Sequence, residues 1–336
     1  MSFSQLCLKW FDQHGRHDLP WQQEISPYRV WVSEIMLQQT QVKTVIPYYQ
    51  RFMKSFPSIE KLASATQEEV LAHWAGLGYY ARGRNLHKSA IIIQSKFQGL
   101  FPQTFDDIIA LPGIGQSTAG AIMSIALKQR MPILDGNVKR VLCRFDAVTS
   151  WSGNKKTEKI LWDRADEFTP QERFDDYTQA IMDLGATLCT RSKPKCDVCP
   201  VEADCDAKKM DKVIQFPYSK PKKIIPTKEK FFLILVTEAF QVALVKRPEK
   251  GIWGGLWSLP EFDSEQEIAL FLDGNGVVAT LKEQAVIKHT FSHYHLRLKP
   301  MKGLVRKQEI EGVKWFALPC EELGLPAPIR KIVGSL

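Results

Sequence analysis

The chain has 336 residues, of which 44% are hydrophobic, and a formal net charge of +8. This length favours two domains, and no apolar run reaches the length that spans a bilayer, so a helical membrane protein is not expected. The basic excess suits a polyanionic partner but does not by itself identify one.

The N-terminal two thirds of the chain carries several helix signals. The apolar spacing in residues 1–14 predicts an amphipathic helix rather than a signal peptide. Ser26 followed by Pro27 predicts the start of a second helix, and Thr66 with Glu69 forms a capping box ahead of another. We therefore predict a mostly helical domain here.

Glu34 lies in the middle of the second predicted helix. Trp31 and Leu37, at i−3 and i+3, give its face an apolar character. Loss of hydration on such a face raises the pKa of a carboxyl group, as a general acid at neutral pH requires. The alternative is a glutamate that reaches solvent or pairs with Arg29 or Lys43.

A glycine-rich turn separates two further predicted helices, the first opened by Thr104 and the second running over about residues 116–128. The turn contains Leu111, Gly113 and Gly115. Glycines allow a tight turn whose backbone amides face outward beside a helix N-terminus, which suits phosphate binding. Together with the small residues that follow, the turn is typical of a helix-hairpin-helix motif, although alone it could be an ordinary helix–helix connection.

Asp135 directly precedes an apolar-periodic stretch that begins at Val138. A helix N-cap is the simpler interpretation of this position. The functional interpretation uses the same position, because a carboxylate at a helix N-terminus is held ionised and can face a developing cation. One protonated and one ionised acid is the arrangement that cleavage of a glycosidic bond needs.

Four of the seven cysteines fall within seventeen consecutive residues. They are Cys189, Cys196, Cys199 and Cys205. An odd total with one tight cluster favours a metal site in a reducing compartment over disulfides. Zinc ribbons use two C-x-x-C pairs, whereas this segment has one, so we favour a [4Fe–4S] cluster over zinc; four unconnected buried cysteines are the remaining alternative.

The composition changes after the cysteines. We predict a helical domain over residues 1–217, a proline- and lysine-rich linker over 218–229 and an α+β domain over 230–336. Phe231–Val236 and Val242–Val245 are predicted strands joined by a tight turn, and more strands are expected near 285–289 and 296–298.

Taken together, these motifs resemble the adenine DNA glycosylases, the A/G-mismatch-specific branch of the endonuclease III superfamily. The resemblance covers essentially the whole chain, and the matching segments are Trp31–Val42, Gly76–Arg82, Leu111–Gly115, Leu134–Arg140 and the cysteine segment. It implies a multidomain fold: a mostly α helix-hairpin-helix glycosylase domain with an iron–sulfur cluster loop, followed by an α+β Nudix-like domain.

The resemblance also implies a role for each acid. Glu34 would protonate the departing adenine at N7 and then activate water, Asp135 would stabilise the oxocarbenium-like sugar, and Asn137 would orient this group. The residues expected at the lesion are Gln38, Gln39 and Tyr79, and the hairpin residues Leu111, Gly113 and Gly115 would contact DNA. A packed aromatic ring for Tyr79 and a solvated face for the glutamines are the alternatives.

Ser117 departs from the lyase members of the superfamily. Those enzymes carry a nucleophilic lysine two positions after the last glycine of the hairpin, and a serine hydroxyl cannot form a Schiff base. We therefore expect a monofunctional glycosylase. Some family members have tyrosine at this position, so the contribution of Ser117 to catalysis is left open.

In the C-terminal third, Gly251–Pro260 resembles the start of a Nudix fold, but the segment after it lacks the carboxylate array that holds magnesium in Nudix hydrolases. We therefore do not expect hydrolysis by this domain. The resemblance implies recognition of the oxidised guanine by Phe291, Ser292 and His293, with Phe291 wedging the stack. The alternative places Phe291 in the core and His293 on a solvated face.

The expected activity is removal of adenine opposite 8-oxoguanine or guanine in double-stranded DNA, in base excision repair, by a monomer in the prokaryotic cytoplasm. An endonuclease III-like glycosylase/lyase acting on pyrimidine lesions is the closest rival, and Ser117 counts against it. A non-catalytic lesion-binding protein and a nucleotide pyrophosphatase are disfavoured by the paired acids and by the missing Nudix carboxylates.

Overall fold

The computed structural model describes residues 1–220, 225–291, 293–320 and 322–336. The chain forms two compact units, one of Met1–Ser64 with Asn85–Pro221 and one of Ala65–Arg84 with Lys222–Leu336. Residues 221–224 of the predicted linker lie outside the described residues. Over the part of the chain that is described, no helix combines the length and the apolar character needed to cross a bilayer.

Helices make up most of the first two thirds of the chain, as predicted. In chain order they are α1 (Phe3–His14), α2 (Pro27–Leu37), α3 (Val42–Ser55), α4 (Ile59–Ser64), α5 (Gln67–Trp74), α6 (Ala81–Lys96), α7 (Phe105–Ile109), α8 (Gln116–Ala121), α9 (Gly136–Phe145), α10 (Lys155–Phe168), α11 (Phe174–Asp183) and α12 (Asp206–Lys209). Of these, α5 belongs to the second unit. Short 3₁₀ turns lie at Pro20–Gln22, Cys196–Val198, Glu202–Asp204 and Val213–Gln215.

The capping residues predicted from the sequence lie at the N-termini of the predicted helices. The Ser26 hydroxyl accepts a hydrogen bond from the Arg29 amide at 3.2 Å, and Thr66 and Glu69 form both bonds of a capping box. The helix predicted over 116–128 is different: α8 ends at Ala121 and continues as a π-helical turn, Ile122–Ala126. A second π-helical turn, Leu184–Leu188, follows α11. Such turns reposition the backbone and are frequent at functional sites.

The core of the first unit joins α1, α9, α10 and α11. Cys7, Leu142, Leu161 and Ala180 are fully or almost fully buried within it. Cys189 and Cys199 pack against the edge of this cluster as partly buried side chains. The start of the cysteine segment is therefore anchored on the same core that carries α9.

The second unit is built on one sheet. Its strands are β1 (Thr227–Val236), β2 (Gln241–Lys246), β3 (Trp257–Ser258), β4 (Glu261–Phe262), β5 (Lys282–Glu283), β6 (Ile287–Thr290), β7 (His295–Leu304) and β8 (Val313–Ala317), with α13 (Glu265–Gly274) and α14 (Ala327–Val333). β1 and β7 pair in parallel at the centre, with Thr227 opposite His295 and Val236 opposite Leu304. β1 starts inside the segment predicted as linker.

Both faces of the sheet are covered. Along β1, Phe232 and Ile234 face a cluster that includes α14, whereas Leu233 and Leu235 face a cluster that includes α13. This alternation is the two-residue period of a strand. A strand apolar at every position, as Phe231–Val236 is, must be buried on both sides.

Candidate active site

Glu34 lies on α2, where Trp31 and Ile35 are buried, and is itself partly buried. Burial, and next the negative charge of Asp135, raise the pKa of Glu34 to about 8. Arg29, one of the alternative partners, pairs with Glu24 at 2.5 Å. At pH 7 most of the Glu34 carboxyl is therefore protonated, as the general-acid interpretation requires.

Asp135 is the N-cap of α9. Its Oδ1 accepts hydrogen bonds from the amides of Asn137 at 3.0 Å and Val138 at 2.8 Å, and its Oδ2 accepts one from Asn137 Nδ2 at 3.3 Å. The N-cap interpretation and the functional one thus describe the same position. A carboxylate held by these bonds has a fixed orientation.

The net pKa shift of Asp135 differs in sign from what the helix N-terminus alone would give. Burial raises the pKa of Asp135, and the hydrogen bonds from Val138 and Asn137 and the charge of Arg140 only oppose that rise. The charge of Asp135 in turn raises the pKa of Glu34. The two acids are therefore close enough to interact electrostatically.

The hairpin brings the elements of this site together. Leu111 is buried and Gly113 has a φ of +83°, and a Cβ on Gly113 would lie 2.9 Å from the Asn85 Cβ. Gly115 begins α8, and a Cβ there would meet nothing within 4 Å. Further along α8, a Cβ on Gly120 would lie 2.4 Å from the Pro132 carbonyl oxygen. The chain before Asp135 can therefore lie against α8 only because residue 120 is glycine.

Ser117 supports the same segment. Its hydroxyl accepts a hydrogen bond from the Leu134 amide at 3.0 Å. On the other side, Gln38 Nε2 donates to Thr118 Oγ1 at 3.4 Å, which ties the end of α2 to α8. Gln39 is exposed with a φ of +58°.

The four clustered cysteines line one cavity with about 430 Å³ of atom-free space, part of it open to solvent. Arg144 Nη1 donates to Cys189 Sγ at 3.2 Å. Among the residues that the structure describes, no three His, Cys, Asp or Glu side chains form a group suited to one metal ion. Four thiols around one cavity, one of them bonded to a guanidinium, fit a polynuclear thiolate-ligated group.

Sequence reasoning missed two arginines on α9. Arg140 donates to Asn137 Oδ1 at 2.9 Å and to the Gly185 and Cys189 carbonyls at 2.6 and 2.7 Å. Arg144, which is almost fully buried, donates to the carbonyls of Thr190 and Arg191. They lie three and seven positions after Asn137, on one helix face with it, and that spacing was the available signal.

In the second unit, Tyr79 is 57% exposed with a φ of +49°, so it is not a packed aromatic residue. Phe291 is partly buried, with ring centroids 4.6 Å from His289 and 4.9 Å from Tyr294. In this conformation Phe291 packs against the core, as the alternative interpretation predicted, and its ring does not project freely as a wedge would. His293 is exposed, and Ser292 lies outside the described residues.

Residues 32–167 match the HhH-GPD superfamily of base excision DNA repair proteins, and residues 231–335 match the NUDIX domain. The adenine DNA glycosylase of Buchnera aphidicola subsp. Acyrthosiphon pisum is 42% identical over 99% of this chain and 97% of its own length. The chain belongs to the adenine DNA glycosylase family. The Homo sapiens adenine DNA glycosylase is 35% identical over 88% of this chain and 65% of its own length.

Two solved structures are similar to part of this chain. A thermostable thymine-DNA glycosylase is 26% identical, with a TM-score of 0.57 over 62% of this chain and 95% of its own. Endonuclease III in a non-covalent complex with DNA is 20% identical, with a TM-score of 0.53 over 63% of this chain and 99% of its own, and shares the fold. The predicted fold class and the predicted adenine DNA glycosylase family are confirmed.

Proposed function

We propose that this adenine DNA glycosylase family member removes adenine mispaired with 8-oxoguanine or guanine in double-stranded DNA, in base excision repair. The target adenine is first flipped out of the stack. The observation that carries the proposal is the Glu34 carboxyl, mostly protonated at neutral pH and within electrostatic reach of Asp135, the N-cap of α9.

In the proposed mechanism the protonated Glu34 donates its proton to N7 of adenine. Protonation makes the base a better leaving group, and the C1′–N9 bond breaks as positive charge develops on the sugar. The Asp135 carboxylate faces and stabilises that charge. Glu34, now ionised, accepts a proton from the attacking water as the water oxygen bonds to C1′, and the acid is restored.

Asn137 orients this constellation. Its Nδ2 donates to Asp135, and its Oδ1 accepts from Arg140, so its amide is held at both ends. Ser117 lacks an amine, and its hydroxyl accepts a hydrogen bond from the Leu134 amide. We infer hydrolysis without a Schiff base and therefore no substantial strand cleavage.

For the mispair, we propose contacts from both units. In the first unit Gln38, Gln39 and the hairpin residues Leu111, Gly113 and Gly115 would face the DNA. In the second unit Tyr79, Phe291, Ser292 and His293 would read the strand opposite adenine. The 57% exposed ring of Tyr79 supports a stacking role, whereas Phe291 would have to leave its aromatic neighbours to wedge the duplex.

We propose that Cys189, Cys196, Cys199 and Cys205 hold a [4Fe–4S] cluster. When bound, the cluster would join four points of one loop and so fix its conformation, a structural and DNA-docking role. Arg144 would remain hydrogen-bonded to the Cys189 sulfur and would offset negative charge there. We further propose a monomer acting on the nucleoid in a bacterial cytoplasm, a setting supported by the bacterial relative.

The decisive experiment is a single-turnover assay on duplexes with adenine opposite 8-oxoguanine, adenine opposite guanine, and thymine glycol opposite adenine. Heat and alkali reveal abasic sites. Excision confined to the two adenine duplexes, with no borohydride-trapped adduct, is expected. Excision of thymine glycol alone, or abundant trapping, would instead favour the endonuclease III-like glycosylase/lyase.

A further inference from the structure

The segment Ala65–Arg84 belongs by sequence to the HhH-GPD match, which spans residues 32–167. In the structure it forms part of the second unit, with the Nudix-like sheet. This segment contains α5 and the loop that carries Tyr79. The exposed ring that we place at the mispair is therefore held by the unit that we place at the oxidised guanine.

Three polar contacts hold this segment against the rest of the second unit. The Tyr80 hydroxyl donates to the Leu325 carbonyl oxygen at 3.0 Å, with both residues buried. Trp257 Nε1 donates to the Glu68 carboxylate at 2.5 Å, and Lys246 lies 3.4 Å from the same carboxylate. Trp257 is only 6% exposed, and a buried indole N–H without a partner is costly, so its bond to Glu68 specifies how α5 is positioned.

Close backbone contacts support the same docking. Arg84 Nη1 donates to the Gly254 carbonyl at 2.6 Å. A Cβ on Gly324 would lie 3.2 Å from Leu256 and 3.7 Å from Leu71 of α5. The chain at Gly324 therefore approaches α5 to van der Waals distance.

The Tyr79 loop is a strained turn. Gly76 and Gly78 have φ values of +98° and +76°, and Tyr79, a bulky residue, has +49°. Trp74 Nε1 and Arg82 Nη2 both donate to the Gly78 carbonyl, at 3.2 and 3.3 Å. The Arg82 guanidinium lies 5.4 Å from the Tyr79 ring centroid. A left-handed tyrosine persists only where its surroundings determine it, and here those surroundings include the docked residue next to it, Tyr80.

We propose that Tyr80 and Glu68 are positioning residues that make Tyr79 part of the guanine-reading unit, so that discrimination between 8-oxoguanine and guanine depends on this docking. The inference rests on the proposed function. Tyr80 fixes the backbone on the C-terminal side of Tyr79, and the bond of Glu68 to Trp257 fixes α5 on the N-terminal side. The tyrosine ring is thereby aimed by the same unit that carries Phe291 and His293.

The test measures dissociation constants for duplexes with a non-cleavable adenine analogue opposite 8-oxoguanine or opposite guanine. Tyr80→Phe and Glu68→Ala should each lower the preference for 8-oxoguanine by roughly fivefold, the equivalent of one lost hydrogen bond. Tyr28→Phe is the matched control, because the Tyr28 hydroxyl donates to the Phe56 carbonyl at 2.6 Å within the first unit. It should lower thermal stability comparably and leave the preference unchanged.

A double-mutant cycle separates positioning from general destabilisation. In a Tyr79→Ala background, Tyr80→Phe should cause no further loss of preference, because the ring that it positions is gone. Additive losses, or an unchanged preference in both single variants, would overturn the docking inference alone. A wild-type chain that excises no adenine from either duplex would instead overturn the proposed function.

Discussion

The proposed catalytic groups of the first unit and the proposed recognition groups of the second are held in different ways. Asp135 is held by two backbone amides and an asparagine side chain, and that asparagine is in turn held by Arg140. Phe291 is held by ring contacts and by one hydrogen bond from its backbone amide to the Tyr294 carbonyl at 2.9 Å, and Tyr79 is mostly exposed.

The difference follows from what each region does. A developing cation is stabilised only by a charge already in place, so catalytic geometry must be set before the substrate arrives. Stacking on a base tolerates sliding and tilting, because every base presents a π-face. We therefore expect single substitutions to have large effects in the first region and small ones in the second.

The largest effect is expected for Glu34→Gln, which keeps the shape of the side chain but removes the proton donor. Single-turnover excision of adenine opposite 8-oxoguanine should fall by roughly 10²- to 10⁴-fold, the range for a lost general acid. Duplex binding should change little. Glu60→Gln, at an exposed position of α4, is the control; a wild-type rate in Glu34→Gln would remove Glu34 from the mechanism.

The same substitution should stabilise the fold. The pKa of Glu34 is raised from 4.5 to about 8 in the folded chain. Below pH 4.5 the group is protonated in both states and contributes nothing; as the pH rises towards 8, only the unfolded chain ionises, so stability is lost. At pH 7 Glu34→Gln should raise the free energy of unfolding by about 1–3 kcal/mol, and the gain should vanish near pH 4. An equal gain at both pH values would contradict this.

A substitution beside Asn137 tests how rigid the proposed catalytic region is. A Cβ on Gly185 would lie 2.6 Å from the Asn137 Cβ and 3.1 Å from its carbonyl oxygen. Gly185→Ala should therefore lower the free energy of unfolding by about 1–3 kcal/mol, as overpacking usually does, and reduce the excision rate by displacing Asn137. Gly274→Ala, where a Cβ meets nothing within 4 Å, should lower neither the free energy of unfolding nor the excision rate. Equal losses in the two variants would contradict the view that the region around Asn137 is rigid.

The pH dependence of the excision rate should differ from that of duplex binding. The wild-type excision rate should be constant near neutral pH and fall about tenfold per pH unit well above 8, as Glu34 loses its proton. Binding to the duplex should not follow this profile. A rate that rises through pH 8 would mean that the ionised form of Glu34 is required before bond cleavage.

Part of this site could be predicted from local sequence, and part could not. The caps at Ser26 and Thr66 and the strand Phe231–Val236 depend on neighbouring residues, so the sequence predicted them correctly. The π-helical turn at Ile122–Ala126 depends on packing: the Ser124 hydroxyl lies 2.8 Å from Thr178 Oγ1, more than fifty residues away.

Long-range contacts also explain the other differences. Burial raises the pKa of Asp135 more than the hydrogen bonds at the helix N-terminus lower it. The local sequence indicates the helix N-terminus but not the burial. The membership of Ala65–Arg84 in the second unit depends on Leu325 and Trp257, which lie far along the chain. The sequence identified the motif residues. It did not predict their pKa shifts or the distant residues that hold them in place.

The smallest effect is expected at the recognition loop. Phe291→Leu keeps an apolar side chain against His289 and Tyr294 but removes the flat ring, so stability should hardly change. The preference for 8-oxoguanine over guanine should fall by roughly fivefold, the low end of one base–aromatic stack, while the excision rate at saturating enzyme stays near wild type. A rate loss as large as that of Glu34→Gln would mean that Phe291 takes part in catalysis, and the contrast between fixed catalytic groups and adaptable recognition groups would then fail.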